Sequence, residues 1–353
     1  MMNLSVKLTT LTPVNIGSGE ILSQFCDYVY DKGFIYYLDY DLIAQELAKM
    51  PEGDRLIDEF VAIVRTQAGG NVQNRFRIKG FLESTGLDFQ NFASKQIAVE
   101  DEIKEQIQLQ VKTGGRPYVP GSSIKGAIRT AIVSNFFTAE LEKNIKNTKE
   151  YIGQDILGKY DEDILKFLQV SDTMPFNEED LGIVRFLRYN LKTGDLDIPV
   201  VKEVILSERE SSFKIGFKAK KGQVPSRFVF LEEGKGEQIL EIINKYSREN
   251  VENEIKELNR NKSGELKDVK EFYEELLDTV STADVSKEAY MRIGSGKTFY
   301  DNTVAHKLSQ AFLKGIIKQN YRKADPNFFP KTRTVVLHEG KKTAPGWVKL
   351  EKV

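Results

Sequence analysis

The chain has one cysteine, one tryptophan and two histidines in 353 residues, and each scarcity excludes something. A single cysteine, Cys26, rules out an intramolecular disulfide framework and reads as a buried small hydrophobe. No HxxxH, CxxC or clustered-carboxylate pattern offers a metal site, so no metal or cofactor is expected. No apolar run approaches the ~20 residues that span a bilayer. The opening Met1-Met2-Asn3-Leu4-Ser5-Val6-Lys7 lacks an apolar signal-peptide core, and a cytoplasmic location is the expectation. Net charge is also nearly absent: 51 Lys and Arg against 52 Asp and Glu give −1.

That balance hides an asymmetry. Residues 286–353 carry 14 basic against 5 acidic side chains, +9, which leaves 37 against 47, −10, for residues 1–285. A second window, from Gln106 to Ala139, holds Lys112, Arg116, Lys125 and Arg129 and no acid. Two basic windows in an otherwise acidic chain suggest local anion contact without a protein-wide basic field. The alternative is lysines on solvated helix faces.

Hydrophobic periodicity supplies the elements. Residues 4–11 alternate as a half-buried strand, and residues 28–38 form a hairpin turning at Asp31-Lys32-Gly33. Helical spacing appears over 41–50 and 54–68. Residues 105–112 alternate as a strand before a turn-rich approach to a helix capped by Ser122 or Ser123, with Ile124, Ile128, Ala131 and Ile132 on its inward face. Strands are expected at 183–191, 200–206, 213–217, 289–293 and 334–338. Charged, solvent-washed helices are expected at 237–259 and 270–280, with a long helix over 302–321. Mixed runs without strict alternation indicate an α+β fold of antiparallel sheets with helices on one face.

Several motifs bear on chemistry. Ile16-Gly17-Ser18-Gly19 recurs as Ile293-Gly294-Ser295-Gly296, as if two similar halves each present a flexible loop rich in N–H groups. In Pro120-Gly121-Ser122-Ser123-Ile124-Lys125-Gly126-Ala127-Ile128-Arg129, Lys125 lies in a first helical turn with Arg129 four residues on. Both placements cost roughly 0.2–1 kcal/mol in isolation, and a phosphate at the helix N-terminus would reverse the sign. Gly126 suggests close backbone approach. Gly296-Lys297-Thr298 invites a nucleotide-triphosphatase reading, but the glycine it needs five positions earlier is Met291. Gripping of a phosphate backbone by Arg292, Lys297 and loop amides fits better.

Acid–base material is thin. His306 and His338 are the histidines available, Asp172 is a general base or a turn and cap residue, and Ser18 and Ser295 lack a Gly-x-Ser-x-Gly setting. Trp347 either stacks a base or fills the core, and core packing is the expectation beside Val348 and Leu350.

Taken together, Leu11-Thr12-Pro13-Val14-Asn15-Ile16-Gly17-Ser18-Gly19, the 118–131 motif and the late glycine loop resemble the RAMP superfamily of CRISPR proteins. Val170-Ser171-Asp172, Arg292–Gly296, Thr332-Arg333 and Pro345-Gly346-Trp347-Val348 make the chain similar, within that superfamily, to the subunit that caps the crRNA 3′ end in the type III-A Csm effector complex. The resemblance implies two RRM-like, ferredoxin-type domains, 1–180 with a helical insertion at about 41–95 and 181–353 with a charged helical insertion at about 232–285. It implies an antiviral ribonucleoprotein subunit that is not itself an enzyme, needed for assembly and for crRNA 3′ maturation by separate nucleases. Its expected partners are single-stranded crRNA, the adjoining backbone subunit, target RNA and trans-acting nucleases, with no membrane. Gly17, Ser18, Gly19, Ser122, Ser123, Lys125, Arg129, Arg292, Gly294, Ser295, Gly296, Lys297 and Arg333 are the expected RNA contacts. The acidic insert at 232–278 has no counterpart and reads as a surface lid or docking face. The competing readings are a metal-independent crRNA-processing endoribonuclease using His306 or His338, and a phosphate-binding metabolic enzyme using Lys297.

Overall fold

A computed structural model describes residues 2–65, 77–145, 153–196, 199–220, 222–232, 236–260, 264–327, 329–338 and 340–353. Its strands are β1 (Met2–Thr10), β2 (Gly17–Leu22), β3 (Tyr28–Asp31), β4 (Phe34–Leu38), β5 (Ala93–Ala98), β6 (Ile107–Gln110), β7 (Lys112–Thr113), β8 (Arg116–Pro117), β9 (Leu168–Val170), β10 (Leu181–Asn190), β11 (Val200–Ile205), β12 (Glu210–Phe217), β13 (Glu288–Arg292), β14 (Thr332–His338), β15 (Lys341–Thr343) and β16 (Trp347–Lys352). Its α-helices are α1 (Tyr40–Leu47), α2 (Gly53–Arg65), α3 (Arg77–Ser84), α4 (Gly121–Phe136), α5 (Ala139–Glu142), α6 (Gln154–Leu157), α7 (Glu237–Leu258), α8 (Lys267–Thr282) and α9 (Gln310–Asn320). The α+β class with antiparallel sheets is as expected.

A five-stranded antiparallel sheet runs β13-β16-β1-β12-β9. Alternation in β1 buries Leu4, Val6 and Leu8, and register sets Leu4 opposite Ile215 and Val6 opposite Phe213. Such cross-strand apolar pairs are the unit of sheet stability. Ile124, Ile128, Ala131 and Ile132 of α4 and Ile239, Leu240 and Ile243 of α7 complete this core. Each fully buried side chain of this size contributes about 1.5–3 kcal/mol.

A six-stranded sheet runs β15-β14-β10-β11-β6-β2, antiparallel except where β11 meets β6. A small lobe of β3-β4-β5 with α1, α2 and α3 sits on one face of it, Tyr28, Ile35, Tyr37 and Ile97 packing on Ile107, Ile183 and Val201. The lobe's elements run from β3 to β5, so it begins before the helical insertion expected at about 41–95 and includes three strands; its hairpin turns at Lys32 and Gly33, both with positive φ.

Three expectations need correction. The division at residue 180 does not separate the sheets: β1 pairs with β12 and β16, and β6 with β11, so both sheets draw strands from each side of it. The 237–259 helix is not solvent-washed. Along α7, residues Ile239 to Tyr246 enter the first core, while Val251 and Leu258 join Tyr273, Leu276 and Val280 of α8 in a second. The long helix over 302–321 is broken. Asn302 and Thr303 side chains bond back to the Thr298 and Phe299 carbonyls in short 3-10 turns, and α9 starts only where the Ser309 side chain accepts from the Phe312 N–H. Short polar side chains offer the backbone these alternatives to a helix.

Candidate nucleic-acid interface

The two Gly-Ser-Gly segments meet, but not as equivalent loops. Gly17-Ser18-Gly19 is exposed edge strand β2, with the Ile16 N–H donating to Gln110 Oε1 at 2.7 Å. Gly294-Ser295-Gly296 is a tight loop after β13, laid against the chain at Asn15. Buried Asn15 pins the junction: its Nδ2 donates to the Glu203 carbonyl at 2.8 Å and its Oδ1 accepts from Ser295 Oγ at 2.7 Å. Its own carbonyl accepts from the Ser295 N–H at 2.7 Å. Gly294 has φ +72°, and a Cβ there would stand 2.4 Å from the Asn15 carbonyl oxygen. The loop therefore requires glycine at that position.

Cations gather at this junction. Lys202 of β11 reaches Ser295 Oγ at 3.2 Å and lies 5.1 Å above the Phe186 ring centroid. Burial, with the Arg188 charge beside it, lowers its ammonium pKa below the usual 10.5. Lys297 is lowered too, by burial and Arg292 against the opposing pull of Asp301. Arg188 is exposed on β10, and among the described residues no carboxylate forms an ion pair with Lys202, Lys297 or Arg188. A phosphate placed here would meet desolvated positive charge and offset the repulsion.

The α4 motif is organised differently from expectation. Pro120, not a serine, occupies the N-cap position, and the Gly121 N–H donates to Asp172 Oδ1 at 2.7 Å. A carboxylate of the protein thus already stands where a phosphate would meet the helix N-terminus, and Asp172 has the capping role rather than that of a base. Glycine is required at 121, where a Cβ would lie 2.2 Å from the Val170 carbonyl oxygen. Lys125 Nζ donates to the Leu168 carbonyl at 2.8 Å, and Arg129 pairs with Asp163 at 2.9 Å. Ser122 is exposed, Ser123 is half-buried, and Gly126 faces open space rather than a close backbone neighbour.

Arg292 and Arg333 are not presented to a ligand. Arg292 pairs with Asp301 at 2.8 Å, both side chains 3% exposed, and donates to the Pro345 and Gly296 carbonyls and to Tyr273. Arg333 pairs with Glu254 of α7 at 2.6 Å, also fully buried, and burial raises the Glu254 pKa. These arginines neutralise interior carboxylates. Met291 is likewise a buried strand residue of β13 opposite Val348, so no phosphate cradle precedes Lys297.

The His306 side chain is buried, its Nε2 3.0 Å from Glu249 Oε2 and 3.2 Å from Ser134 Oγ. His338 ends β14. Trp347 is buried edge-on to Tyr273 at 6.2 Å, and burial pushes the Cys26 thiol up to about 12, both in keeping with core roles. Among the described residues no cluster of three metal-ligating side chains occurs, and no helix is long and apolar enough to cross a membrane. Sequence reasoning missed Asn15, Arg188 and Lys202. The available signal for Lys202 was its place between Val200 and Val204 on one strand face.

Residues 7–299 match the family model of the RAMP superfamily. Among curated proteins, the chain is 26% identical to a CRISPR-system protein named Csm5 from Methanocaldococcus jannaschii, over 99% of this chain and 89% of that one. It is also 26% identical to a Csm5 from Streptococcus thermophilus, over 60% and 62%. A chain in the cryo-EM structure of a Csm–crRNA–target RNA ternary complex of a type III-A system superposes with a TM-score of 0.74, covering 99% of this chain and all of that one at 20% identity. The crystal structure of T. onnurineus Csm5 superposes with a TM-score of 0.64, covering 97% and 99% at 18% identity.

Proposed function

The chain belongs to the RAMP superfamily, and on that footing we propose that it is a crRNA-holding subunit of a type III-A Csm complex. In this reading it caps the 3′ region of the guide and docks on an adjoining backbone subunit, and its presence is needed for 3′ maturation by separate nucleases. The observation that carries the RNA-binding part is the meeting of Lys202 and Arg188, neither in an ion pair among the described residues, at the Asn15–Ser295 junction, with Lys297 directly after its glycine loop. Backbone phosphates are the ligand that desolvated cations beside loop amides best accommodate. Gly17, Ser18 and Gly19 continue this surface as an exposed strand, and Ser122 and Lys125 offer a second contact through α4. No nuclease step is assigned to this chain, because His306 is enclosed by Glu249 and Ser134 rather than open to a scissile phosphate.

The test is to express the chain with its genomic neighbours, purify through a tag on it and sequence the RNA that accompanies it. Guide-length RNAs whose 3′ ends lengthen when the chain is omitted support the reading. A Lys202→Glu, Lys297→Glu double variant should lose affinity for single-stranded RNA, with a salt slope shallower by about 0.7 per contact. Protein that purifies without RNA or partners overturns the proposal.

A further inference from the structure

Beyond the junction, α9 and the segment after it carry a feature that nothing above uses. Tyr321 terminates α9 and is 43% exposed, with its N–H donating to the Ile317 carbonyl and its own carbonyl accepting from the Ala324 N–H, both at 2.8 Å. Two further rings back it. Phe329 lies 4.9 Å from Tyr321 centroid to centroid, Phe299 lies 6.2 Å away edge-on, and Phe299 and Phe329 are 5.1 Å apart. Phe299 stands two residues after Lys297, so this aromatic trio adjoins the glycine-loop junction in the chain. Around it lie Lys318, Arg322, Lys323 and Lys331, all exposed, and none of them is in an ion pair among the described residues. Asp325 is the nearby acid, and it is turned to Lys192 at 3.9 Å.

An aromatic face held rigidly by a helix end and two supporting rings, bordered by unneutralised cations, is the arrangement that single-stranded nucleic acids use. Bases stack on the ring whatever their identity, and the flanking charges follow the backbone. Lys314 and Lys318, four residues apart on α9, repel one another until such a polyanion arrives. We propose that Tyr321 is a base-stacking platform, extending the RNA track past the junction along α9. The inference rests on the RNA-binding reading above and adds a further, separable contact to it.

Two 5′-labelled oligouridylates, one short enough to cover only the junction and one long enough to reach both sites, separate the ideas by fluorescence anisotropy. Tyr321→Leu keeps an apolar side chain against Phe299 and Phe329 but removes the stacking face. It should weaken the long oligonucleotide about tenfold, leave the short one unchanged, and leave the melting temperature near that of the parent protein. Tyr321→Phe should retain full affinity. 2-Aminopurine at the base that reaches Tyr321 should be quenched on binding the parent protein and not on binding Tyr321→Leu. If Tyr321→Leu binds the long RNA as well as the parent while Lys202→Glu, Lys297→Glu binds it poorly, the platform is refuted and the junction stands. Equal loss in Tyr321→Phe refutes stacking as the cause, and failure of the parent protein to bind either RNA removes both proposals.

Discussion

Arg292→Met separates an interior arginine from an RNA-binding one. The Arg292 guanidinium meets Asp301 at 2.8 Å, the Pro345 carbonyl at 2.9 Å, the Gly296 carbonyl at 3.0 Å and Tyr273 at 3.1 Å, with both charged side chains 3% exposed. Methionine fills comparable length but leaves the Asp301 carboxylate buried and without its cation. Removing one partner of such a pair costs about 3–5 kcal/mol. An unfolding entropy of about 2.1 cal/mol/K per residue over 353 residues gives roughly 0.74 kcal/mol/K, so the melting temperature should fall by about 4–7 °C. Asp301→Leu added to Arg292→Met should recover most of that loss, because the stranded charge goes with it. The residual should be about 1 kcal/mol, since Asp301 also accepts the Thr298 N–H. Calorimetry on the single and the double variant reads these shifts directly. RNA affinity should drop as the Gly296 carbonyl is released, while its salt slope stays as in the parent protein. An Arg292→Met protein that melts normally and loses about 0.7 from the salt slope would show that the arginine reaches a phosphate after all.

Other variants test the remaining joints. Gly294→Ala places a Cβ 2.4 Å from the Asn15 carbonyl oxygen at φ +72° and should cost about 1–3 kcal/mol in denaturant titrations, with weaker RNA binding. Asp172→Ala removes the oxygen that meets the Gly121 N–H and should destabilise by about 1 kcal/mol, whereas Asp172→Asn, which keeps an acceptor there, should lose less. The depressed ammonium groups of Lys202 and Lys297 set a pH dependence with a definite sign. Folding lowers both pKa values below 10.5, so the folded state holds these protons less tightly and this part of the stability rises as pH climbs from the depressed pKa toward 10.5. RNA affinity should fall across the same alkaline window, because phosphate needs the protonated form. Lys202→Arg should flatten that fall in an anisotropy series, and an unchanged profile would mean Lys202 does not touch the RNA.

Local pattern made much of the scaffold legible, and distant pairing decided most of the site. The alternation of Leu4, Val6 and Leu8 and the Asp31-Lys32-Gly33 turn are short-range signals, and both elements lie where that pattern puts them. Ser122 and Ser123 looked like helix caps because a cap is normally local, yet the oxygen comes from Asp172, on a segment brought in beside β12. Lys202 reaches the glycine loop from 93 residues away because sheet pairing carries β11 there. No window of sequence contains that neighbour.

The charge asymmetry has the same origin. The acidic insert holds four of the 14 Lys and Arg side chains of the basic C-terminal region: Glu249 holds Lys307, and His306 with it, Glu254 holds Arg333, Glu265 holds Lys342, and Glu237 holds Lys352. A stretch that reads as an acidic lid thus supplies part of the counter-charge of residues 286–353. Much of the +9 of residues 286–353 is neutralised at home and offers nothing to a polyanion. What distinguishes Lys297, Lys318, Arg322 and Lys323 from Arg292 and Arg333 is not residue type or local sequence but whether the fold brings a carboxylate into a direct ion pair with them. A basic window therefore proposes an RNA surface only after its internal acids are subtracted, and here the subtraction moves the proposed surface from the buried arginines to the lysines around Ser295 and the end of α9.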